Sequence, residues 1–398
     1  MKSLDRSKPK RQMGLKDQSI LCINLGSSSL KLALFEASNL KLQAREKKKK
    51  KDTHFELKDD LNHSIYHQAL PDNAFDNWWQ CLFAYLAKND IRLLASGHRV
   101  VHGGPYTQPV RMSEDNLQAL EGLIPFAPFH QGENLKGIKK MLSFDAELLQ
   151  IACFDTSFHE TMPRKEKQYA IPERFYDQGI QKYGFHGLSF ESILRQLNDT
   201  EPSLIGKRLV IAHLGSGSSL CAVKSGKSVA TTMGLTPLDG LIMATRAGKF
   251  DPALILNLLK QGYELAEIET IVFQESGLKA LAGEADMKRL LERTDTKAQQ
   301  ALEHYVYSIQ QHLALMVAAL GGIDGLIFTG GIGEHAKTIW YTVCQEASWL
   351  GIRLREIDST KLPCHISAEE SEVDVWVLKS QEERIIAEHT KKLALQAC

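Results

Sequence analysis

The chain has 398 residues, 43% of them hydrophobic, which is enough for two or three domains with buried cores. Lys plus Arg and Asp plus Glu each number 48, so no net field draws the chain to nucleic acid or to an anionic membrane surface. Seven scattered cysteines without a Cys-x-x-Cys pair argue against a disulfide framework or a zinc site and fit free thiols in a reducing cytoplasm; no apolar run approaches the ~20 residues of a membrane helix.

Residues 1–18 are basic and lack the apolar core of a secretory signal, so they are expected to be a disordered lead-in. Ile20 to Leu25 reads as a strand, followed by a Gly-Ser-Ser-Ser turn. Leu30, Leu32 and Leu34 then alternate with Lys31 and Ala33, the period of a second strand. The run Lys47 to Lys51 has no interleaved aromatics and reads as a solvated hairpin tip or loop. Near Leu209 the first design returns: a strand ending at Leu214, a Gly-Ser-Gly-Ser-Ser turn, and a strand over Leu220 to Val223. Gly226 then supplies the turn of a further hairpin. A third Gly-rich element, Asp324 to Ala336, predicts a strand running into Gly330-Gly331-Ile332-Gly333 and a helix. Strands alternating with long amphipathic helices make the class α/β, and a device used twice predicts two domains of related build.

The Gly226-Lys227-Ser228 triplet is not a Walker P-loop, because Cys221 stands where that motif needs its first glycine. Gly-Ser turns let backbone N–H groups approach an anion, and two of them, one per half, could clamp a polyphosphate. The third element suits a nucleotide, with glycines for close approach and a helix N-terminus for negative charge. Two phosphate hairpins and an adenosine turn in this order resemble the superfamily of sugar kinases, actin and the heat-shock chaperone ATPases, with a duplicated core and an interdomain active site. That pattern leaves two function classes open: an ATP-dependent kinase, or an ATP-gated binding or structural protein.

Between the hairpins lie "SGHRVVHGG" with His98, Arg99 and His102, "IPFAPFHQG" with His130, "IACFDTSFHETMP" with Asp155 and His159, "QKYGFHGLSF" with His186, and a Gly/Pro-rich loop with Arg246. Two arginines with histidines point to an anionic acceptor. A carboxylate brought ~4 Å from a phosphate costs about 4 kcal/mol per charge pair even at an effective dielectric of 20. Guanidinium groups offset that charge and bind carboxylate and phosphate bidentately.

"CINLGSSSLKL", "HRVVHGG", "FDTSFHETMP", "YGFHGLS", "HLGSGSS" and "FTGGIGE" together resemble the acetokinase family of acetate and propionate kinases, from about Ser19 to about Thr390. The resemblance implies reversible phosphoryl transfer between ATP and acetate, giving ADP and acetyl phosphate, with propionate or another short-chain acid as the alternative acceptor. It places Mg²⁺ or Mn²⁺ on Asn24 and Glu382, and Lys31 against the nucleotide phosphates. Arg99 would bind the acyl carboxylate, with His130 beside it and Val101, Phe129, Phe185 and Pro237 as the apolar wall. His186 and Arg246 would stabilise the transferring phosphoryl group. His213, Leu214, Gly215, Ser216 and Gly217, then Asp286, Met287 and Lys288, then Gly331, Ile332, Gly333, Glu334 and His335 would line the nucleotide. The family labels Asp155 as a proton donor or acceptor. A carboxylate acceptor carries no proton at neutral pH, so on physical grounds Asp155 should instead orient an arginine or the metal's water shell. The resemblance further implies a cytoplasmic homodimer acting on small molecules. The domains are expected at 19–160 with 385–398, and at 161–384.

The sequence departs from the family pattern in places. Ser216 stands for Asn, which would leave a phosphate contact to backbone or water. Lys249 replaces Asp three residues from Arg246 and is expected to change how that arginine is held. "PFHQGEN" replaces "PLHNP", so a different loop is expected after His130, and Phe129 for Leu would add bulk near the acyl group and favour acetate. His335 stands for Asn, and "KSQEER" for "TNEEL" makes Glu382 the metal residue by register.

Overall fold

A computed structural model of the chain describes residues 19–25, 30–36, 39–49, 52–59, 63–70, 74–356 and 362–396. The expected lead-in at 1–18, the Gly-Ser-Ser-Ser turn at 26–29 and the last two residues of the lysine run lie outside the described residues. The first sheet holds β1 (Ser19–Leu25), β2 (Leu30–Glu36), β3 (Asn39–Lys49), β4 (Asp52–Asp59), β5 (Ser64–Leu70), β6 (Leu93–Val100), β7 (Val110–Arg111) and β8 (Leu149–Phe154). Its order is β5-β4-β3-β2-β1-β6-β8-β7. The second sheet holds β9 (Arg208–Leu214), β10 (Ser218–Lys224), β11 (Lys227–Thr231), β12 (Gly325–Thr329), β13 (Cys364–His365) and β14 (Asp374–Val377). Its order is β11-β10-β9-β12-β14-β13.

The duplication extends beyond the two hairpins. β3-β2-β1-β6-β8 and β11-β10-β9-β12-β14 run in the same order and senses: two antiparallel pairings, then two parallel ones. Ser225 and Gly226 both adopt positive φ, at 50° and 72°, as a two-residue hairpin turn requires. Lys47–Lys49 end β3, whose last pair is Lys49 with Asp52, so the described part of the lysine run lies at the end of that strand.

Strand alternation decides which side chains reach the site. In β1 and β2, Leu21, Ile23, Leu25, Leu32 and Leu34 pack with Trp78, Trp79 and Leu82 of the helix Ala74–Lys88. On the opposite face, Ile20, Cys22, Ala33 and Phe35 pack with Ile385 and Ile386 of the C-terminal helix Glu382–Leu395. Ile151 and Cys153 of β8 join that second cluster. A Cβ at Gly97 of β6 would run into Thr390 Oγ1 and Ile386 Cγ2, so the helix seats there because residue 97 has none. The next residues of the same parity on these strands are Asn24, Arg99 and Asp155, and Lys31 pairs with Asn24 across the hairpin. All four therefore meet where the parallel strands end and the C-terminal helix begins.

The second lobe repeats this logic. Val210, Ala212 and Leu214 of β9 pack into a core with the helix Thr296–Leu320. Leu209 and Ile211 face the helix Gly187–Thr200 through Phe190, Ile193 and Leu197. Cys221 and Val223 of β10 share that face, so His213 and Ser219, of the same parity, look toward the start of that helix.

Candidate functional site

Between the sheets lies a cleft of about 1100 Å³. On its first-lobe wall, Arg99 donates from Nε to Asp155 Oδ1 at 3.0 Å and Oδ2 at 3.2 Å, and from Nη2 to Oδ2 at 2.6 Å. Its Nη1 lies farther from its partners, 3.3 Å from Asn24 Oδ1 and 3.5 Å from Glu382 Oε2. Asn24 Nδ2 donates to Glu382 Oε2 at 3.3 Å. One guanidinium thus serves two carboxylates. Burial drives the Asp155 carboxyl up, and the bidentate Arg99 opposes that rise. Burial would raise Glu382 as well, but Arg99, His213, Lys31 and Asn24 outweigh it and hold that carboxyl below its usual range. Burial pulls the Arg99 guanidinium down, and Asp155 and Glu382 more than restore it.

The second-lobe wall is built on the turn between β9 and β10. Burial, His213 and the two arginines push the His186 imidazole well below its ordinary value, and burial brings His213 to about 4. The rings stack at 4.2 Å and 21°. Arg246 donates to the Pro237 carbonyl at 2.8 Å, and burial lowers it to about 10, so it stays cationic at neutral pH. A Cβ at Gly217 would stand 2.8 Å from Arg246 Nη2 and 3.3 Å from His186 Nε2. Both side chains therefore lie flat against this turn.

Of the remaining expected residues, Lys31, Val101, His130, Phe185, Pro237, Gly215, Ser216, Gly331, Glu334 and His335 also line the cleft. Burial, with Arg246 and Arg99, lowers His130 to about 3, so it is a neutral imidazole. Val101 and Phe185 are backed by Ala127, Met233 and Met243. The helix Gly330–His335 follows β12 directly, with Gly330 at φ 79°, as the Gly-Gly-x-Gly reading expected.

Several expected residues lie outside the lining of this cleft, and one expected loop is a helix. Phe129 does not line the cleft; its ring packs against Phe273 at 5.4 Å, which removes the bulk expected near an acyl group. The segment after His130 is not a loop but the helix Gln131–Phe144, with His130 as its N-cap. Asp286, Met287 and Lys288 are not brought to the cleft walls: Asp286 caps a helix by accepting from the Arg289 N–H, and Met287 is core. Leu214, Ile332 and Gly333 sit behind the wall, Leu214 with its carbonyl directly under Gly330. Lys249 is exposed, and Arg246 donates to the Pro237 carbonyl.

Sequence reasoning missed the amides that hold the strand ends. Asn134 accepts from the Val101 N–H at 2.9 Å and donates to the Leu25 carbonyl. Gln131 accepts from the His102 N–H at 3.0 Å and returns a bond to the His102 carbonyl at 3.0 Å. Two polar residues inside "HQGEN" were the available signal.

The donor set suits a hard divalent cation. Asn24 and Glu382 offer oxygen ligands, one of them ionised, to an ion of the kind that keeps several waters and takes one or two carboxylates with substrate phosphates. Among the described residues no cluster of three or more His, Cys, Asp or Glu forms a closed protein cage for a metal.

The family model described as the Acetokinase family matches residues 19–388. An acetate kinase of Rhodopseudomonas palustris strain TIE-1 is 39% identical over 390 residues, covering 94% of this chain and 98% of the relative. One of Methylocella silvestris is 39% identical over 398 residues, covering 94% and 97%. Among solved structures, a propionate kinase of Francisella tularensis superposes with a TM-score of 0.87 at 32% identity, covering 94% of this chain and 99% of that one. An acetate kinase of Porphyromonas gingivalis does so with a TM-score of 0.82 at 28% identity, with the same coverage.

Proposed function

The chain belongs to the acetokinase family, and from that premise we propose that it transfers a phosphoryl group reversibly from ATP to acetate, giving ADP and acetyl phosphate by direct in-line displacement. The observation that carries this reading is the meeting of Arg99 from one lobe with His186, His213 and Arg246 from the other in a single cleft. Two anions must approach there, and cationic or N–H donors on both sides offset the repulsion.

In this reading Arg99 holds the acyl carboxylate, and Val101, Phe185 and Pro237 wall its methyl group. Asp155 keeps the Arg99 fork in place rather than moving a proton. Lys31 and the turn around Gly215 to Gly217 take the nucleotide phosphates. His186 and Arg246 stabilise the planar phosphoryl group, and Gly331 with its neighbours takes the adenosine. Asn24 and Glu382 hold Mg²⁺, which when bound would neutralise phosphate charge. The lobes, 19–160 with 385–398 and 161–384, close over the cleft and exclude water, which limits idle ATP hydrolysis. Six free, buried cysteines among the described residues support a cytoplasmic setting. The helix Ala253–Lys260 leaves Leu254, Leu256 and Leu259 exposed beside Leu265, an apolar face that supports a homodimer.

The test is an acyl-hydroxamate assay with MgATP, hydroxylamine and acetate, propionate, butyrate or no acid. Hydroxamate dependent on acid and Mg²⁺, greatest with acetate, is the expected result. A higher rate with propionate would make the propionate reading the correct one. ATP binding without hydroxamate from any acid would overturn the kinase and favour the nucleotide-gated binding class.

A further inference from the structure

His186 and His213 each present Nε2 to the second phosphate turn: His186 Nε2 lies 3.3 Å from the position of a Cβ on Gly217, and His213 Nε2 3.7 Å from that of a Cβ on Gly215. Each Nδ1 points away from the cleft and meets a serine hydroxyl. His186 Nδ1 lies 2.8 Å from Ser219 Oγ, and His213 Nδ1 lies 2.8 Å from Ser189 Oγ. The symmetry follows from strand alternation, which puts His213 and Ser219 on the face of the second sheet that the helix Gly187–Thr200 covers. Ser189 is in the first turn of that helix and His186 is its N-cap, in the left-handed region at φ 59°.

We propose that Ser189 and Ser219 are positioning residues that lock this stacked pair as two neutral imidazoles with hydrogen on Nε2, and that Ser380 ties the His213 half of the pair to the segment that crosses between the lobes. The proposal rests on the reading of the cleft as a phosphoryl-transfer site. A phosphoryl oxygen offers only lone pairs, so an imidazole facing it must carry its hydrogen on Nε2. Its Nδ1 is then an acceptor and needs a donor, and the serine O–H is the partner in reach. Two imidazolium rings 4.2 Å apart would repel, and the burial that keeps both rings neutral is consistent with the lock.

Ser189 Oγ also lies 2.9 Å from Ser380 Oγ. The Ser380 N–H donates to Glu334 Oε1 of the adenosine-side helix at 3.0 Å, and the Gln381 N–H donates to Ser192 Oγ at 3.1 Å. Residues 380 and 381 are thus pinned to the second lobe immediately before Glu382, which bonds Asn24 on the first. With Ser380 donating to Ser189 and Ser189 to His213, the tautomer of His213 depends on the seating of the segment that also carries Glu382.

The experiment is nitrogen-15 NMR of the full-length resting protein labelled at histidine, with His186→Asn and His213→Asn used only to assign signals. The expected result is protonated Nε2 and bare Nδ1 on both rings at pH 7.5; a protonated Nδ1 on either ring overturns the proposal. This readout needs no turnover, so it can fail while the hydroxamate assay succeeds, and the reverse. In kinetics, Ser189→Ala should lower kcat about tenfold, the lower end of what removing an orienting partner costs, with KM for ATP and acetate within about threefold. Ser189→Thr, which keeps the hydroxyl, should restore most of it. Ser380→Ala added to Ser189→Ala should cost nothing more, because both act through one chain of hydrogen bonds. An unchanged kcat in Ser189→Ala overturns the proposal.

Discussion

Asp155→Asn separates two accounts of the buried carboxylate. Asparagine keeps the shape and one carbonyl acceptor but loses the charge that holds Arg99 through three N–H···O contacts, the shortest at 2.6 Å. At that distance and an effective dielectric of 20 the pair attraction is about 6 kcal/mol. Glu382, at 3.5 Å on the other side of Arg99, retains about 5 kcal/mol on the same scale. The guanidinium therefore does not become an isolated buried charge; it shifts toward Glu382. Losing one partner of a buried pair costs roughly 3–5 kcal/mol when nothing replaces it, and the remaining partner sets the expectation near the lower bound. The acyl carboxylate would then meet a displaced fork, and one lost charge-assisted bond at ~1.5–3 kcal/mol raises KM for acetate about 10- to 100-fold. The assay is hydroxamate formation with acetate and ATP varied separately, beside a thermal melt. The expectation is a raised KM for acetate, a KM for ATP within about threefold, and a lower Tm. In an Arg99→Lys background the same change should add little. A kcat reduced more than a thousandfold, with KM for acetate and Tm unchanged, would refute the positioning account and restore proton transfer.

Gly217→Ala puts a methyl group 2.8 Å from Arg246 Nη2 and 3.3 Å from His186 Nε2, both at the ends of movable side chains. The melt should stay within a few degrees while kcat drops about a hundredfold, because a 1 Å misplacement at a reacting centre costs that much; unchanged kcat would mean neither group serves transfer. For acid stability, burial lowers His98 to about 3, and His102, His159 and His213 to about 4, against an ordinary 6.5. The unfolded chain takes up these protons first, so the contribution is complete above about pH 6.5 and declines toward pH 4, by about 1.4 kcal/mol per group per unit. Urea midpoints should hold from pH 7.5 to 6.5 and then fall steadily toward pH 4.5, and a series flat below pH 6.5 would contradict the neutral, buried histidines. For acyl length, Phe129→Leu should leave the acetate-to-propionate ratio of kcat/KM within about twofold, whereas Val101→Ala should shift it toward propionate by about tenfold, the lower end of one methylene's worth. A large shift from Phe129→Leu would show that its ring leaves Phe273 when substrate binds.

What was legible in the sequence was local. Period-two alternation around small-residue turns marked both hairpins, and a strand entering Gly-Gly-x-Gly marked the helix Gly330–His335, because each signal lies within a dozen residues. Strand parity then carried Asn24, Arg99 and Asp155 to one face, yet the sequence did not say which strands neighbour one another. The expected loop after His130 rested on "PFHQGEN" standing for "PLHNP", a comparison of a few residues; buried Leu135, Ile138 and Met141 farther along make a helix there despite Gly132 and Gly137, and Gln131 and Asn134 anchor its start. The serine–histidine pairs had no local signal, since their members lie 33 and 24 residues apart. The place of Phe129 was carried over from the family's Leu at that position, and such a correspondence says nothing of Phe273, which comes from a distant segment.

The Arg99 geometry also answers an objection to its proposed role, that a guanidinium already paired with Asp155 has nothing left for a substrate. Arginine carries five N–H groups in a planar fork. Asp155 occupies Nε and one side of Nη2, with contacts of 2.6–3.2 Å. Among the described residues the Nη1 side makes two longer contacts, 3.3 Å to Asn24 and 3.5 Å to Glu382. An incoming carboxylate therefore competes with long contacts, not short ones, and meets the edge of the fork that faces Asn24 and Glu382. In the proposed reading those residues would also hold the cation beside the nucleotide phosphates, so the edge that would receive the acyl group would turn it toward the phosphoryl donor. A lysine at position 99, a single point without a fork, could satisfy Asp155 or the substrate but could not hold both in fixed relation.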